Sequence, residues 1–231
     1  MLFSRRWGWG WTSAFCLMLS LMGRAAETGD KNRFEGEVAA YETADRRQAP
    51  PARPVLFVGS SSFRMWKDLP ETFPGRPVLN RGFGGSTMED LLHFKERLVQ
   101  RYRPRLVAVY EGDNDLAQGQ QPEQVLERYR EFLDWMQREL PGTPVILVAV
   151  KPSPSRQKLL DAQNALNAGL LRLATERPKV YFVDTFSPLL NADGRPDPRW
   201  FLEDQLHLNR DGYGAWTPLL RGALDLADPQ P

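Results

Sequence analysis

Five short apolar segments constrain the fold of this chain more than any other feature of its sequence. They consist mainly of Val, Ile, Leu, Phe and Tyr, and they do not alternate with polar residues. Continuous apolar runs of this length are typical of strands that are buried on both faces of a sheet. The segments cover residues 55–58, 78–80, 106–110, 145–150 and 180–183.

Segments with the apolar spacing of helices separate these runs. Pro122 is placed to open one of them as its first helical residue, and Pro141 and Gly142 are placed to end it. Strands that alternate with helices predict a parallel sheet with helices on both faces. We therefore predict a single three-layer α/β/α domain around a five-stranded parallel sheet. The predicted helices cover residues 34–46, 88–100, 123–140, 156–177 and 211–226.

The first 25 residues have the layout of a secretory signal peptide. Arg5 and Arg6 precede an uncharged apolar stretch at residues 7–22, and small residues follow it. We expect cleavage after Ala25 and a secreted or periplasmic protein; the Sec and twin-arginine routes both stay open. An uncleaved anchor is the alternative, but the apolar stretch is short for a membrane span. Cleavage would also remove Cys16, the sole cysteine.

The remaining chain is long enough for one domain with a substantial core. We expect an N-terminal helix and linker at residues 26–54, followed by the sheet domain at residues 55–228. The 30 Lys and Arg residues nearly cancel the 29 Asp and Glu residues. This balance gives no indication of a nucleic-acid partner. We also expect no stable membrane span in the mature chain.

Small and polar residues follow each apolar run. Ligands bind at the carboxyl ends of the strands in sheets of this kind, so these residues predict the position of a site. The first four polar segments are residues 59–62, 81–87, 111–115 and 151–155, and Asp184 follows the fifth run.

Asp204 and His207 form a pair that could move protons. His207 is one of two histidines in the chain, and histidine is the side chain best suited to proton transfer near neutral pH. A carboxylate three residues earlier could fix its tautomer and stabilise the imidazolium. The alternative is a capping aspartate beside a surface histidine in a turn.

Three other segments could complete a hydrolytic site. One of the three serines at residues 60–62 could be a nucleophile at the start of a helix, where backbone N–H groups can stabilise negative charge. The alternative is a serine that only caps the helix. The glycines at residues 82–85 do not form a dinucleotide fingerprint, because its third glycine would fall at Thr87. They could still allow close approach of the backbone to a ligand, or they could form a plain turn that needs a positive φ. Asn114 could donate its side-chain amide to an oxyanion or could cap a turn.

Taken in order, these segments resemble the SGNH (GDSL-type) hydrolase family. Residues 58–62 are similar to its first block and point to Ser61 as the nucleophile. Residues 80–87 resemble the second block, with Gly85 as the oxyanion glycine. Residues 112–115 resemble the third block, with Asn114 as the side-chain donor, and residues 204–207 resemble the block that holds the catalytic Asp and His. The family's usual aspartate before the nucleophile is Ser60 here.

The resemblance implies a flavodoxin-like strand order and a serine esterase without a cofactor or metal. Ser61, His207 and Asp204 would form the triad, and the Ser61 and Gly85 N–H groups with the Asn114 side chain would form the oxyanion hole. The substrate would be a small-molecule, glycan or lipid ester. The oligomeric state stays open.

Three other classes of function are alternatives to a simple serine esterase. An O-acyltransferase or glycan deacetylase could use the same triad, and a binding module could keep the fold without turnover. A metal hydrolase could use Asp113, Asp115, Asp204 and His207, but the chain has few histidines and no metalloprotease spacing.

Other residues are less informative about function. His93 is expected to be a partly buried helix residue. Residues 151–155 could line the pocket or form a solvated turn. Trp200 and Phe201 could also line the pocket, or they could pack beneath the loop that precedes Asp204.

Overall fold

The computed structural model describes residues 33–229, and the predicted signal segment at residues 1–25 lies outside this range. Five parallel strands form one sheet within the described residues, in the order β2-β1-β3-β4-β5. The predicted parallel sheet and its flavodoxin-like order are therefore confirmed. The strands are β1 (Val55–Gly59), β2 (Val78–Gly82), β3 (Leu106–Tyr110), β4 (Val145–Val148) and β5 (Val180–Val183).

Helices cover both faces of this sheet. The helices α1, α4, α6 and α7 contribute to one apolar layer, and α2, α3 and α8 contribute to the other. Val55 and Phe57 face the second layer, while Leu56 and Val58 face the first. The helices are α1 (Glu35–Arg47), α2 (Ser61–Arg64), α3 (Leu69–Thr72), α4 (Met88–Leu98), α5 (Asp113–Ala117), α6 (Pro122–Glu139), α7 (Leu160–Glu176) and α8 (Arg210–Ala227).

The two-sided covering explains why the strands are apolar without alternation. Every residue of β1 and β3 is buried. Across residues 33–229, no helix combines the length and the apolar character that a membrane span requires. Helix α1 belongs to the same compact unit as the sheet, while the boundary between residues 26–54 and 55–228 stays a prediction.

Several element boundaries differ by one or two residues from those predicted, for example β4, which ends at Val148 instead of residue 150, and two differences have a visible structural basis. Strand β2 continues through Arg81, whose charge can be buried because Asp45 and Tyr102 bind its guanidinium. The helix predicted at residues 156–177 is divided: a 3-10 helix covers Pro154–Leu159, and α7 follows. Arg156 departs from helical geometry in this 3-10 segment, with φ of −116°.

The end of β1 approaches the end of β3 closely. Gly59 has φ of +134°, and a Cβ atom there would lie 2.1 Å from the Tyr110 carbonyl oxygen. The Ser60 N–H donates to that same oxygen at 3.0 Å. Only glycine fits this position, and it brings residues 60–62 to the edge of the sheet.

Helix α4 begins against a buried carboxylate. The Met88 N–H donates to Asp115, and burial raises the pKa of Asp115 to about 6 despite this hydrogen bond. A raised pKa means that the folded state binds the proton more tightly than the unfolded chain. Ionisation of Asp115 therefore removes stability as the pH rises from about 4 to about 7.

We expect the Asp115→Asn variant to gain stability relative to wild type as the pH rises. Each unit of raised pKa corresponds to about 1.4 kcal/mol, so the relative gain between pH 4 and pH 7 should approach about 3 kcal/mol. Urea denaturation of both proteins at several pH values measures it, and subtracting wild type removes the contribution of other groups. A difference in unfolding free energy that does not change with pH would contradict the assignment.

Candidate active site

Ser61, His207 and Asp204 form a continuous hydrogen-bonded chain. The Ser61 Oγ lies 3.0 Å from His207 Nε2. The His207 Nδ1 lies 2.6 Å from Asp204 Oδ2. The structure thus brings together three residues that come from two segments more than 140 positions apart in the sequence.

Ser61 differs in exposure from the serines on either side of it. Ser60 and Ser62 are 2% and 1% exposed, whereas Ser61 is partly exposed. Ser61 is the first residue of α2, and the first N–H groups of a helix have no acceptor within the helix. This position gives Ser61 an accessible hydroxyl beside backbone donors.

The loop that carries Asp204 and His207 is closed by its own backbone. The Leu202 N–H donates to the His207 carbonyl at 2.8 Å, and Gln205 adopts a left-handed conformation with φ of 54°. The Asp204 Oδ1 accepts from the N–H groups of Leu206 and His207, both at 2.9 Å. These bonds fix the carboxylate, and its second oxygen faces the imidazole.

Asp204 stays ionised at neutral pH. Partial burial acts to raise its pKa, but the hydrogen bonds from the His207 ring and from the His207 and Leu206 N–H groups outweigh it. Together they lower the pKa to about 2. An ionised Asp204 requires a proton on His207 Nδ1, which leaves Nε2 as the acceptor that faces Ser61.

Asn114 lies between the other two predicted oxyanion donors. Its Nδ2 donates to Ser60 Oγ at 2.7 Å and to the Ser86 carbonyl at 2.9 Å. Ser60 precedes Ser61, and Ser86 follows Gly85. Both amide hydrogens of Asn114 therefore have an acceptor. An oxyanion would share a hydrogen with one of these acceptors or would displace that acceptor.

Gly85 adopts a conformation that favours glycine. Its φ is +81°, and a Cβ atom there would meet no heavy atom within 4 Å. The space beside its Cα is open, so a substrate group can approach the backbone closely. The glycine is thus suited to the position that the sequence assigned to it.

Arg156 fixes the orientation of the Asn114 amide. Its Nη2 donates to Asn114 Oδ1 at 2.8 Å, and its Nη1 pairs with Asp113 Oδ1 at 2.7 Å. Because the amide oxygen faces the guanidinium, the amide nitrogen faces Ser60 and Ser86. A hydrogen bond from a charged donor also polarises the amide and strengthens its N–H groups as donors.

Asp113 anchors this arrangement through a buried ion pair with Lys151. The Lys151 Nζ lies 2.7 Å from Asp113 Oδ2, and both residues are buried. Burial acts to raise the pKa of Asp113, but the charges of Lys151 and Arg156 outweigh it and hold the pKa below its ordinary value. The solvated turn considered for residues 151–155 is therefore wrong at its start, because residues 151–153 are buried.

The side chains of the alternative metal set do not converge. Asp113 binds Lys151 and Arg156, Asp115 accepts from Met88, and Asp204 faces His207. Among the described residues, no group of three or more His, Cys, Asp or Glu side chains could hold a metal ion.

The outcomes for the remaining aromatic and histidine residues are mixed. His93 is exposed on α4, so the prediction of a partly buried residue is wrong. The His93 and Phe94 rings lie nearly perpendicular to each other, with 4.6 Å between their centroids. Phe201 is buried in the apolar layer beside α8, as expected for ordinary packing, while Trp200 is partly exposed beneath the Arg199 guanidinium.

The sequence predicted the polar residues of this site that directly follow the strands, but it did not indicate Arg156. Arg156 lies 42 positions from Asn114, inside a segment with helical spacing. The one signal is its place directly after the polar segment 151–155, which follows β4.

Most of this chain matches one known protein family. The model of the GDSL-like lipase/acylhydrolase family matches residues 48–215, which include Ser61, Gly85, Asn114, Asp204 and His207. No curated protein sequence matches the chain significantly.

Solved structures of esterases and lipases have the same fold. A GDSL-like lipase from Bacteroides thetaiotaomicron has 22% sequence identity and a TM-score of 0.69, over 82% of this chain and 98% of that protein. A catalytic mutant of an acetylxylan esterase from Geobacillus stearothermophilus has 16% identity and a TM-score of 0.60, over 79% and 97%. A carbohydrate esterase family 3 protein from Talaromyces cellulolyticus has 16% identity and a TM-score of 0.60, over 77% and 99%.

Proposed function

Because this chain belongs to the GDSL-like lipase/acylhydrolase family, we propose that it is a secreted or periplasmic serine esterase that hydrolyses carboxylic esters through an acyl-enzyme. The observation that carries the proposal is the hydrogen-bonded chain from Ser61 through His207 to Asp204. A serine hydroxyl is a weak nucleophile until an adjacent base takes its proton. The 3.0 Å distance from Ser61 Oγ to His207 Nε2 is within hydrogen-bond reach for that transfer.

The reaction proceeds in two acyl transfers. Ser61 Oγ attacks the ester carbonyl carbon while its proton passes to His207 Nε2, and a tetrahedral intermediate forms. Collapse of the intermediate breaks the bond to the alcohol, which leaves with the proton from His207. Water then attacks the acyl-enzyme with His207 again acting as base, and the carboxylic acid is released. Asp204 stabilises the imidazolium in both steps.

The oxyanion is bound by the Ser61 N–H, the Gly85 N–H and the Asn114 amide. Asn114 already donates to Ser60 Oγ, and a hydroxyl can accept or donate. When the oxyanion accepts a hydrogen bond from the Asn114 amide, the Ser60 hydroxyl can rotate toward another acceptor. The polarising bond from Arg156 persists through this exchange because it uses the amide oxygen.

The Asn114→Ala variant should lose about two to three orders of magnitude in kcat. The physical reason is the loss of one donor that stabilises charge only in the transition state. Steady-state hydrolysis of p-nitrophenyl acetate measures the effect. The Asn191→Ala variant, in a surface turn, is the control and should match wild type. Retention of wild-type kcat by Asn114→Ala would exclude Asn114 from the oxyanion hole.

Acetylated glycans are one substrate class to test, because two of the similar structures are an acetylxylan esterase and a carbohydrate esterase. An activity profile over p-nitrophenyl esters of increasing acyl length and over acetylated xylan would define the acyl and alcohol groups. Product analysis with a sugar acceptor distinguishes hydrolysis from acyl transfer. A wild-type protein that neither turns over esters nor reacts with a fluorophosphonate would be a silent binding module.

Export is a separate part of the proposal. It is supported by the sequence of residues 1–25, with a basic start, an apolar stretch and small residues before Ala26. Expression of the full chain, followed by cell fractionation and N-terminal sequencing, tests it. A cytoplasmic protein that retains residues 1–25 would contradict export.

A further inference from the structure

Helix α1 packs against the glycine loop, residues 82–85, which carries the proposed oxyanion donor Gly85. The Tyr41 hydroxyl donates to the Gly82 carbonyl in a short hydrogen bond. Phe34, just before α1, meets the Phe83 ring edge to face, with 5.1 Å between ring centroids. Burial, together with the nearby Glu37 carboxylate, raises the pKa of Tyr41 to about 12, so its hydroxyl remains a donor.

Glu37 joins this loop to the nucleophile helix. Its Oε1 forms a short ion pair with Arg64, the last residue of α2. Its Oε2 accepts from the Gly84 N–H at 3.3 Å. One carboxylate thus connects the helix that begins with Ser61 to the residue before Gly85.

The glycines of the loop make such a restraint important. Gly82, Gly84 and Gly85 lie within four residues, and glycine has access to more backbone conformations than any other residue. A peptide between two glycines can rotate easily unless its neighbours are held. The Phe83 N–H is held by the Gly59 carbonyl at 2.7 Å, and the next N–H, that of Gly84, is held by Glu37.

Arg64 neutralises the charge of Glu37 locally. An isolated carboxylate near the oxyanion would oppose the negative charge of the transition state. Arg64 pairs with it, and the Arg64 guanidinium also packs against Gly84, 3.2 Å from the position of a Cβ atom there. The pair can therefore restrain the loop without a net charge.

We propose that Glu37 is a positioning residue that holds the Gly84–Gly85 backbone in the orientation required by the oxyanion hole. Helix α1 precedes residues 48–215, the part matched by the family model, and would then be an integral part of the catalytic machinery. This inference rests on the proposed esterase function. It adds a specific contribution from a segment that the sequence indicated only as a helix before a linker.

The test compares two glutamates on the same helix. Glu37→Ala should lower kcat by about 10- to 100-fold, as for a small displacement of a catalytic group, with little change in KM because the oxyanion contact strengthens only in the transition state. Glu37→Gln should keep most of the activity, since its amide oxygen can still accept from Gly84. Glu42→Ala is the matched control: Glu42 also pairs with an arginine, Arg97, at 2.8 and 3.0 Å.

Hydrogen–deuterium exchange provides a readout that is independent of turnover. Residues 82–87 should exchange faster in Glu37→Ala than in wild type or in Glu42→Ala. The inference is overturned if Glu37→Ala equals Glu42→Ala in kcat or in exchange, or if Glu37→Gln is as impaired as Glu37→Ala. A wild-type protein that is neither active on esters nor labelled by a fluorophosphonate would instead contradict the proposed function itself.

Discussion

Replacing Ser61 with alanine should remove nearly all of the ester hydrolysis. In a comparable serine triad, removal of the nucleophile costs on the order of 10⁶-fold in kcat. The reason is that no acyl-enzyme can form, although the oxyanion hole and the substrate contacts remain. Initial rates on p-nitrophenyl acetate, corrected for spontaneous hydrolysis, measure the loss.

The neighbouring serines are the matched controls for this variant. Ser60 and Ser62 are buried, so a fluorophosphonate should label Ser60→Ala and Ser62→Ala but not Ser61→Ala. Circular dichroism would verify that each variant is folded. Labelling of Ser61→Ala, or hydrolysis within about tenfold of wild type, is incompatible with the triad assignment, for which the expected loss is about 10⁶-fold.

The sheet could be predicted from the sequence because both of its faces are buried. Under this condition most of the strands are continuous apolar runs, and β3 and β5 have the predicted bounds. Strand β2 was predicted too short because its last residues include Arg81, whose burial depends on Asp45, which is 36 positions away in the sequence. Local composition carries no information about such a partner.

The candidate site could be predicted only in part for the same reason. The polar segments after the strands could be located, but the chemistry of three adjacent serines left the nucleophile open, and only the family resemblance pointed to Ser61. The structure gives the physical distinction, which is burial of the two flanking hydroxyls. The roles of Arg156 and Glu37 depend on contacts 42 and 47 positions away, which no local pattern reveals.

Replacing Asp204 with asparagine should lower kcat by about 10⁴-fold while leaving the loop intact. The asparagine oxygen can still accept from the Leu206 and His207 N–H groups, which now bind Asp204 Oδ1. Its amide nitrogen would then face His207 Nδ1 and act as a donor. The ring proton would move to Nε2, and His207 could no longer accept the proton of Ser61.

Asp184 provides a control with the same local geometry. Its Oδ1 accepts from the N–H groups two and three residues later, both at 3.0 Å, in the same pattern as Asp204. Asp184→Asn should therefore keep wild-type activity, whereas Asp204→Asn should lose it while the protein stays folded. The pKa of Asp204 is about 2, so wild-type Asp204 stays ionised from pH 5 to pH 8. Titration of Asp204 should therefore not change the ratio of the wild-type rate to the Asp204→Asn rate in that range. Equal rates for the two variants would show that the carboxylate does not set the tautomer of His207, and Asp204 would then be only a turn residue.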